Sequence, residues 1–294
     1  MDTRWLYVTS EEFPKLRELA KETCIIPVGC VEKHSIHLPV GQDILQASYL
    51  AYEASKIEPV CVFPDFPGGD IPGGRNPDDG FIEMPQELNS WMLRHFCDQI
   101  GRNKFKKIII LNAHGGNSPW LAEFLRTTIE DHHEYVVMIV NVALQAPHMM
   151  AEKILKEGRG CIPELTTEDE DLLLKHHEEN MQIGHGGFGE TSYMMGIAPE
   201  AVKMDRIGIE DGLSRNLTSK FSEAGIQIRD GGWGYNYPQA FHGHAPVGCN
   251  ERIGKAAIRL EAERIANAIK VVKEDEEMIP WNELKKERYA WKQK

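Results

Sequence analysis

"KIIILNAHGGNSPW", Lys107 to Trp120, contains the repeating unit of the fold in one short stretch. Ile108 to Leu111 is an apolar, β-branched run too short for a helix and suited to a buried strand. Two glycines then let the backbone turn tightly. Ser118 and Pro119 open a helical period, with Ser118 as N-cap, Pro119 at the first helical position, and Leu121, Phe124, Leu125 and Ile129 facing inward. Other segments follow the same grammar. "CIIPVGC" (Cys24 to Cys30), "EPVCVFPDF" around Val60 and "YVVMIVN" (Tyr135 to Asn141) read as strands, continuous rather than alternating, as in a largely parallel sheet covered on both faces. Between them, "QELNSWMLRHFCDQIGRN" places Leu88, Met92, Phe96 and Ile100 at i, i+4 steps on one helical face. Ile258, Ala262, Ile265, Ile269 and Val272 make a further stripe, read as core or subunit contact. Strands alternating with helices predict a layered α/β fold, whose ligands bind at the carboxyl ends of the strands.

The chain has 294 residues, enough for one extended α/β domain, and neither a linker nor an internal repeat divides it. With 41% apolar and 27% charged residues it has the balance of a soluble globular protein, and a formal charge of -12 lacks the basic footprint of a nucleic-acid or anionic-membrane partner. There is no apolar run of membrane-spanning length, and the N-terminus does not read as a secretory leader, so a cytoplasmic protein is expected. The cysteines, Cys24, Cys30, Cys61, Cys97, Cys161 and Cys249, show no CxxC spacing and read as reduced thiols. "IPELTTEDEDLLLKHHEEN" reads as a surface helix with a solvated acidic face, and "FPGGDIPGGRNPDDGF" (Phe66 to Phe81) as a loop bordering a pocket.

Candidate chemistry gathers in three segments. In "VGCVEKHSIHLPVGQD" (Val28 to Asp43), an extended chain puts Glu32 and His34 on one side and Lys33 on the other, and Asp43 returns after a turn. Carboxylate and imidazole together suit zinc, manganese or iron(II), and a carboxylate can bridge two ions. An ordinary hydrogen-bonded loop is the alternative. His114 leaves the Ile108 to Leu111 strand where α/β enzymes keep their sites. "GHGGFGETSYMM" offers His185 and Glu190, with no P-loop or full GxGxxG pattern for phosphate.

Taken in order, "EKHSIHLPVGQD", "NAHGGN" and "GHGGFGETS", with a closing "GHAPVGCNERIGKAAIRL", resemble the creatininase (creatinine amidohydrolase) family from about Ile25 to Val272. The resemblance implies a three-layer α/β/α sandwich with a mostly parallel central sheet, in a single domain over residues 1–294. It implies two divalent ions, Zn2+ or Mn2+ with Fe2+ also suitable. Glu32 and His114 would hold one, His34 the other, and Asp43 would bridge them. Creatininase proper has a carboxylate two positions after the second-motif histidine, where this chain has Gly116; Glu190 is the candidate replacement, or else an acid behind the ligands. His185 matches the active-site histidine that transfers a proton to the leaving group. Metal-bound hydroxide would attack a carbonyl of a small-molecule substrate. His37, Asn117 and Trp233 are candidate pocket residues, with His37 alternatively orienting a ligand and Trp233 alternatively packing. "NVALQAPHMM" lacks the tryptophan that covers creatinine in creatininase proper, which points away from creatinine itself. A non-peptide cyclic amide is the leading substrate class, a carbocyclic diketone of inositol breakdown the second. A metal-poor binding or maturation protein on the same scaffold is the non-catalytic rival. The family also implies a homo-oligomer, as in its hexamers.

Overall fold

The computed structural model describes residues 1–71, 77–128, 133–228 and 232–289; Ile129 and the middle of the Phe66 to Phe81 loop lie outside them. Strands β1 (Thr23–Val28), β2 (Cys61–Val62), β3 (Lys107–Asn112) and β4 (Val136–Asn141) form a parallel sheet in the order β2-β1-β3-β4. The register runs Thr23 against Lys107 to Val28 against Asn112, and Lys107 against Val136 to Asn112 against Asn141. The central strands therefore end level with one another.

Alternation along these strands builds two cores. Cys24, Ile26, Val28, Ile108 and Ile110 point to one face, where they meet Leu16 of α1 (Phe13–Leu19), Leu93, Cys97 and Ile100 of α3 (Gln86–Arg102), and Trp120 and Phe124 of α4 (Ser118–Thr127). Ile25, Ile109 and Leu111 point to the other, against α2 (Gln42–Ile57), α5 (Ala146–Glu157), α6 (Thr167–Glu178), α7 (Phe188–Ile197) and α10 (Glu251–Glu274). This is the three-layer α/β/α arrangement. Short helices α8 (Ser219–Glu223) and α9 (Trp233–Asn236) lie in the long segment before α10, and α11 (Met278–Tyr289) ends the described chain.

Pro27 sits in a central strand without breaking it. The Ile25 and Pro27 carbonyls both face the β2 side, where they accept from Phe63 and Phe66 N–H. Past Val62 the regular pairing on that side gives way to a single Val28–Phe66 bridge, so a residue without an N–H is tolerated there.

Several local expectations are corrected. The "EPVCVFPDF" strand shrinks to two residues. In α3 the buried positions are Asn89, Leu93, Cys97 and Ile100, while Leu88 is exposed; the helix is rotated so that Met92 and Phe96 only flank the core. Asn117, not Ser118, is the N-cap of α4, because a 3-10 turn over Gly115–Asn117 runs straight into the helix. The C-terminal stripe is core: α10 packs on α7 and α2.

The acidic segment is also more than a solvated face. Thr166 and Asp169 form a reciprocal capping box on α6, and buried Asp169 accepts from the Arg252 guanidinium and from Asn250 Nδ2, the residue that caps α10. Glu170, also buried, accepts from Gly160 N–H. Burial raises the Asp169 carboxyl pKa, but the bonds from Arg252 and Thr166 outweigh it and hold the group below its usual value. A depressed carboxyl stabilises the fold fully above the unfolded value near about 3.9, and that contribution is lost as pH falls through the folded value. Asp169→Ala is thus expected to destabilise the protein by about 2 kcal/mol at neutral pH, with the difference from wild type shrinking towards acid. Urea unfolding at several pH values measures this, and a constant difference would reject it.

Candidate metal centre

Past Val28 the chain leaves the sheet still extended, so Glu32 and His34 share a side while Lys33 turns away to Glu210 Oε1 at 2.8 Å. Ser35 then adopts a left-handed φ of 57°, with its N–H donated to the Ala240 carbonyl and its hydroxyl to Glu210 Oε2. That turn sends the chain round to α2, whose first turn carries Asp43. His114 follows β3 directly, and Glu190 lies in the first turn of α7, five residues after His185. Four separate segments therefore deliver Glu32, His34, Asp43, His114, His185 and Glu190 to one place.

Asp43 stands at the centre with its two oxygens divided. Oδ2 lies 3.1 Å from His114 Nδ1, and Oδ1 lies 3.4 Å from His34 Nε2. Glu32 Oε1 is 2.9 Å from His114 Nδ1, and Glu190 Oε2 is 3.7 Å from His34 Nε2. Among the described residues, ligand atoms gather as Cys30, Glu32, Asp43 and His114, as His34, Asp43 and Glu190, and as Glu32, His34 and His185.

Each histidine spends one ring nitrogen on a backbone carbonyl. His34 Nδ1 meets the Glu32 carbonyl at 3.2 Å, His114 Nε2 that of Asp70 at 2.8 Å, and His185 Nε2 that of Lys33 at 2.8 Å. A carbonyl only accepts, so in each neutral ring the other nitrogen is the one whose lone pair could face the cluster. His34 Nε2 is fully buried there and makes no hydrogen bond.

Glu32, Asp43 and Glu190 are all buried, a cost that positive charge must offset. Without ions the imidazoles supply it. Burial opposes a charge on His34, but Asp43 and Glu190 raise its pKa to about 10; His114 is likewise raised against burial, chiefly by Glu32. Burial pushes Glu32 up, but His185 and His114 outweigh it and leave it at about 2. Burial lifts Glu190 to about 7, with Asp43 adding to the rise, and burial together with His34 lowers His185 to about 4. Two of the three histidines hold protons where cations would sit.

Gly116 has no room for a side chain. A Cβ there would collide with His114 Nε2 and lie 2.6 Å from the Asp70 carbonyl. Glu190 reaches the cluster from another segment, 3.7 Å from His34 Nε2, and its Oε2 also accepts from Gly186 N–H. Gly116→Ala is expected to break the Asp70–His114 bond and weaken metal affinity by about 10- to 100-fold, the usual cost of losing a partner that orients a ligand. A competition titration against a coloured chelator reads this; unchanged affinity would mean that the bond is dispensable.

A cavity of about 690 Å3 opens onto the cluster, walled by Leu144, Ile183, His185, Trp233, His242 and Gln86. Trp233 meets the His185 ring edge-on with centroids 5.1 Å apart. Two expected pocket residues are elsewhere. His37 is buried against Thr191 Oγ1 at 3.0 Å, behind Glu190. Asn117 is buried as a clamp: Asp70 N–H and Trp120 Nε1 donate to its Oδ1, and its Nδ2 donates to the Gly29 carbonyl. Cys30, Asp70, Gln86 and His242 are the additions. The period-two spacing of Cys30, Glu32 and His34 was a readable signal for the first; the others reach the site through folds of the chain that no local pattern announces.

Residues 7–269 match the family model Creatininase, described as creatinine amidohydrolase. The chain belongs to the creatininase family. It is accordingly an enzyme, a hydrolase of the amidohydrolase type. Among curated relatives, the creatinine amidohydrolase of Pseudomonas putida is 19% identical over 190 residues, 62% of this chain and 67% of that protein. A deformylase of a 2-amino-5-formylamino-6-ribosylaminopyrimidin-4(3H)-one 5'-monophosphate from Methanobrevibacter smithii is 25% identical over 57% of this chain and 71% of its own. The fold matches solved creatininases. A manganese form superposes with a TM-score of 0.69 at 16% identity, covering 94% of this chain and 100% of that one. A Zn-Zn form of a creatininase mutant gives 0.67 at 14% identity, with the same coverage.

Proposed function

We propose that this creatininase-family enzyme is a two-metal hydrolase that cleaves a carbon–nitrogen bond in a small cyclic amide. The observation that carries the reading is the division of Asp43, one oxygen facing His114 and the other His34, which splits the donors into two halves sharing one carboxylate. Glu32, Asp43 and His114 would hold one ion, and His34, Asp43 and Glu190 the other. Carboxylates and imidazoles suit zinc, manganese or iron(II), and the buried, unbonded His34 Nε2 fits such a donor set. Zinc and manganese forms of solved creatininases support the same choice. Bound ions of this kind lower the pKa of a water and polarise a carbonyl.

The protein's own groups then handle position and protons. Trp233 offers a flat wall for a planar ring, and Leu144 stands in "NVALQAPHMM" where the sequence lacks a tryptophan. His185, which lines the cavity and is pinned through Nε2 to the Lys33 carbonyl, holds Nδ1 3.6 Å from Glu32 Oε1. As water oxygen adds to the carbonyl carbon and the carbon–nitrogen bond breaks, Nδ1 takes the water proton and gives it to the departing nitrogen. Both curated relatives act, by name, on amide-type carbon–nitrogen bonds, which favours this over carbon–carbon cleavage.

The test is a mass-spectrometric screen of the zinc- and manganese-loaded chain against cyclic amides including creatinine, a formylaminopyrimidine, and a carbocyclic diketone. Ring opening of a cyclic amide, lost on chelation and restored by metal, is the expected result. Turnover of the formylated compound alone would move the substrate class to linear formamides. Cleavage of the diketone alone would replace the carbon–nitrogen assignment.

A further inference from the structure

The alternation that places Glu32 and His34 on one side of the chain places Cys30 there too, two residues earlier. Its side chain is fully buried, and Sγ lies 3.1 Å from Asp43 Oδ2, the oxygen that faces His114. Cys30 Sγ, Glu32, Asp43 and His114 Nδ1 offer ligand atoms all within 4.8 Å of one another. His114 Nε2 is committed to the Asp70 carbonyl, so Nδ1 is the ring's only contribution to this group. Glu32 and Asp43 thus converge on one imidazole nitrogen, and the Cys30 thiol donates to the same Asp43 oxygen. A proton on that nitrogen points at one or both carboxylates, whereas a single cation satisfies all four donors. Ligand atoms around one tetrahedral zinc sit about 3.3 to 3.5 Å apart, given zinc distances near about 2.0 Å to nitrogen or oxygen and about 2.3 Å to sulfur. The observed separations of 2.9 and 3.1 Å from His114 Nδ1 to Glu32 and Asp43 would widen to that spacing with small shifts.

We propose that Cys30 is the fourth ligand of the ion held by Glu32, Asp43 and His114, binding through sulfur as a thiolate whose proton is released to solvent. The proposal rests on the two-metal reading above and makes the two positions unequal. The Cys30 position is tetrahedral and closed, and its sulfur favours zinc over manganese. The His34, Asp43 and Glu190 position has no sulfur, and both positions reach the cavity, one through Glu32 and His114 and the other through Glu190. Its donors accept either metal. The other five cysteines are outside the ligand clusters of the described residues.

The experiment is zinc-edge X-ray absorption together with elemental analysis of the zinc-loaded full-length protein, wild type and Cys30→Ser. The expected wild-type spectrum has a sulfur shell at about 2.3 Å, about one sulfur for every two zinc ions, that vanishes in Cys30→Ser. With manganese in large excess, wild type should keep about one zinc per chain that manganese does not displace, and Cys30→Ser should lose that retained zinc. Two bound zinc ions with only nitrogen and oxygen neighbours in wild type would overturn the role of Cys30, leaving it a hydrogen-bond donor to Asp43, and would leave the two-metal reading standing. A sulfur shell that persists in Cys30→Ser would assign the sulfur to another thiol and overturn the proposal as well. Failure of folded wild type to take up zinc would overturn both readings.

Discussion

Asp43→Ala is expected to remove both ions and with them the activity. Asp43 turns one oxygen to each half of the cluster, with 3.1 Å to His114 Nδ1 and 3.4 Å to His34 Nε2. Alanine leaves Cys30, Glu32 and His114 on one side and His34 and Glu190 on the other, each a donor short and no longer joined by Asp43. Losing a mere orienting partner of a metal ligand costs about 10- to 100-fold, so loss of the bridge should exceed about a thousand-fold in kcat. Elemental mass spectrometry of protein purified without chelators should show a fall from about two ions per chain to well under one. The fold should survive, because Asp43 belongs to neither hydrophobic core. A folded Asp43→Ala protein that keeps two ions would sink the bridging assignment.

The second large effect is graded rather than total. Glu190→Gln keeps the size of the side chain and an acceptor for Gly186 N–H, but removes the charge that lies 3.7 Å from His34 Nε2. Glu32, Asp43 and His114 are untouched. One ion per chain is therefore expected to remain, with activity down by about 100- to 1,000-fold, since only one of the two ions is left to activate water and polarise the carbonyl. Two retained ions with full activity would show that Glu190 only supports the site from behind. Loss of both ions would mean that the halves fill cooperatively.

The Glu190 result bears on how this chain departs from its family. Where creatininase proper supplies a carboxylate two residues after the second-motif histidine, Gly116 leaves that space to the Asp70 carbonyl, which in turn fixes His114. The two features are linked: a side chain at 116 would displace the very group that orients the ligand. As a metal ligand, an acid arriving from α7 would resolve the conflict, because it approaches from the His34 side of the cluster.

Much of this was legible in the residues alone. Continuous β-branched runs such as Ile108 to Leu111 specify strands buried on both faces, because only a two-sided apolar environment tolerates them. Period-two spacing set Glu32 and His34 on a common side, and motif order marked Glu32, His34, Asp43, His114, His185 and Glu190 as a group. Other features depended on packing between distant segments, which local spacing does not encode. The rotation of α3 that exposes Leu88 comes from where the helix lands on the sheet. His37 and Asn117 point away from the cavity because Thr191 and the Gly29 carbonyl claim their polar atoms from across the fold. Asp169 is buried rather than solvated because α10 brings Arg252 and Asn250 to it. The sequence by itself determined which donors exist and which strand ends they leave. Tertiary structure alone decided the division of Asp43 between two histidines, the exclusion of any side chain at 116 and the approach of Cys30, since each depends on distances between segments set only when the sheet and its two helical layers close.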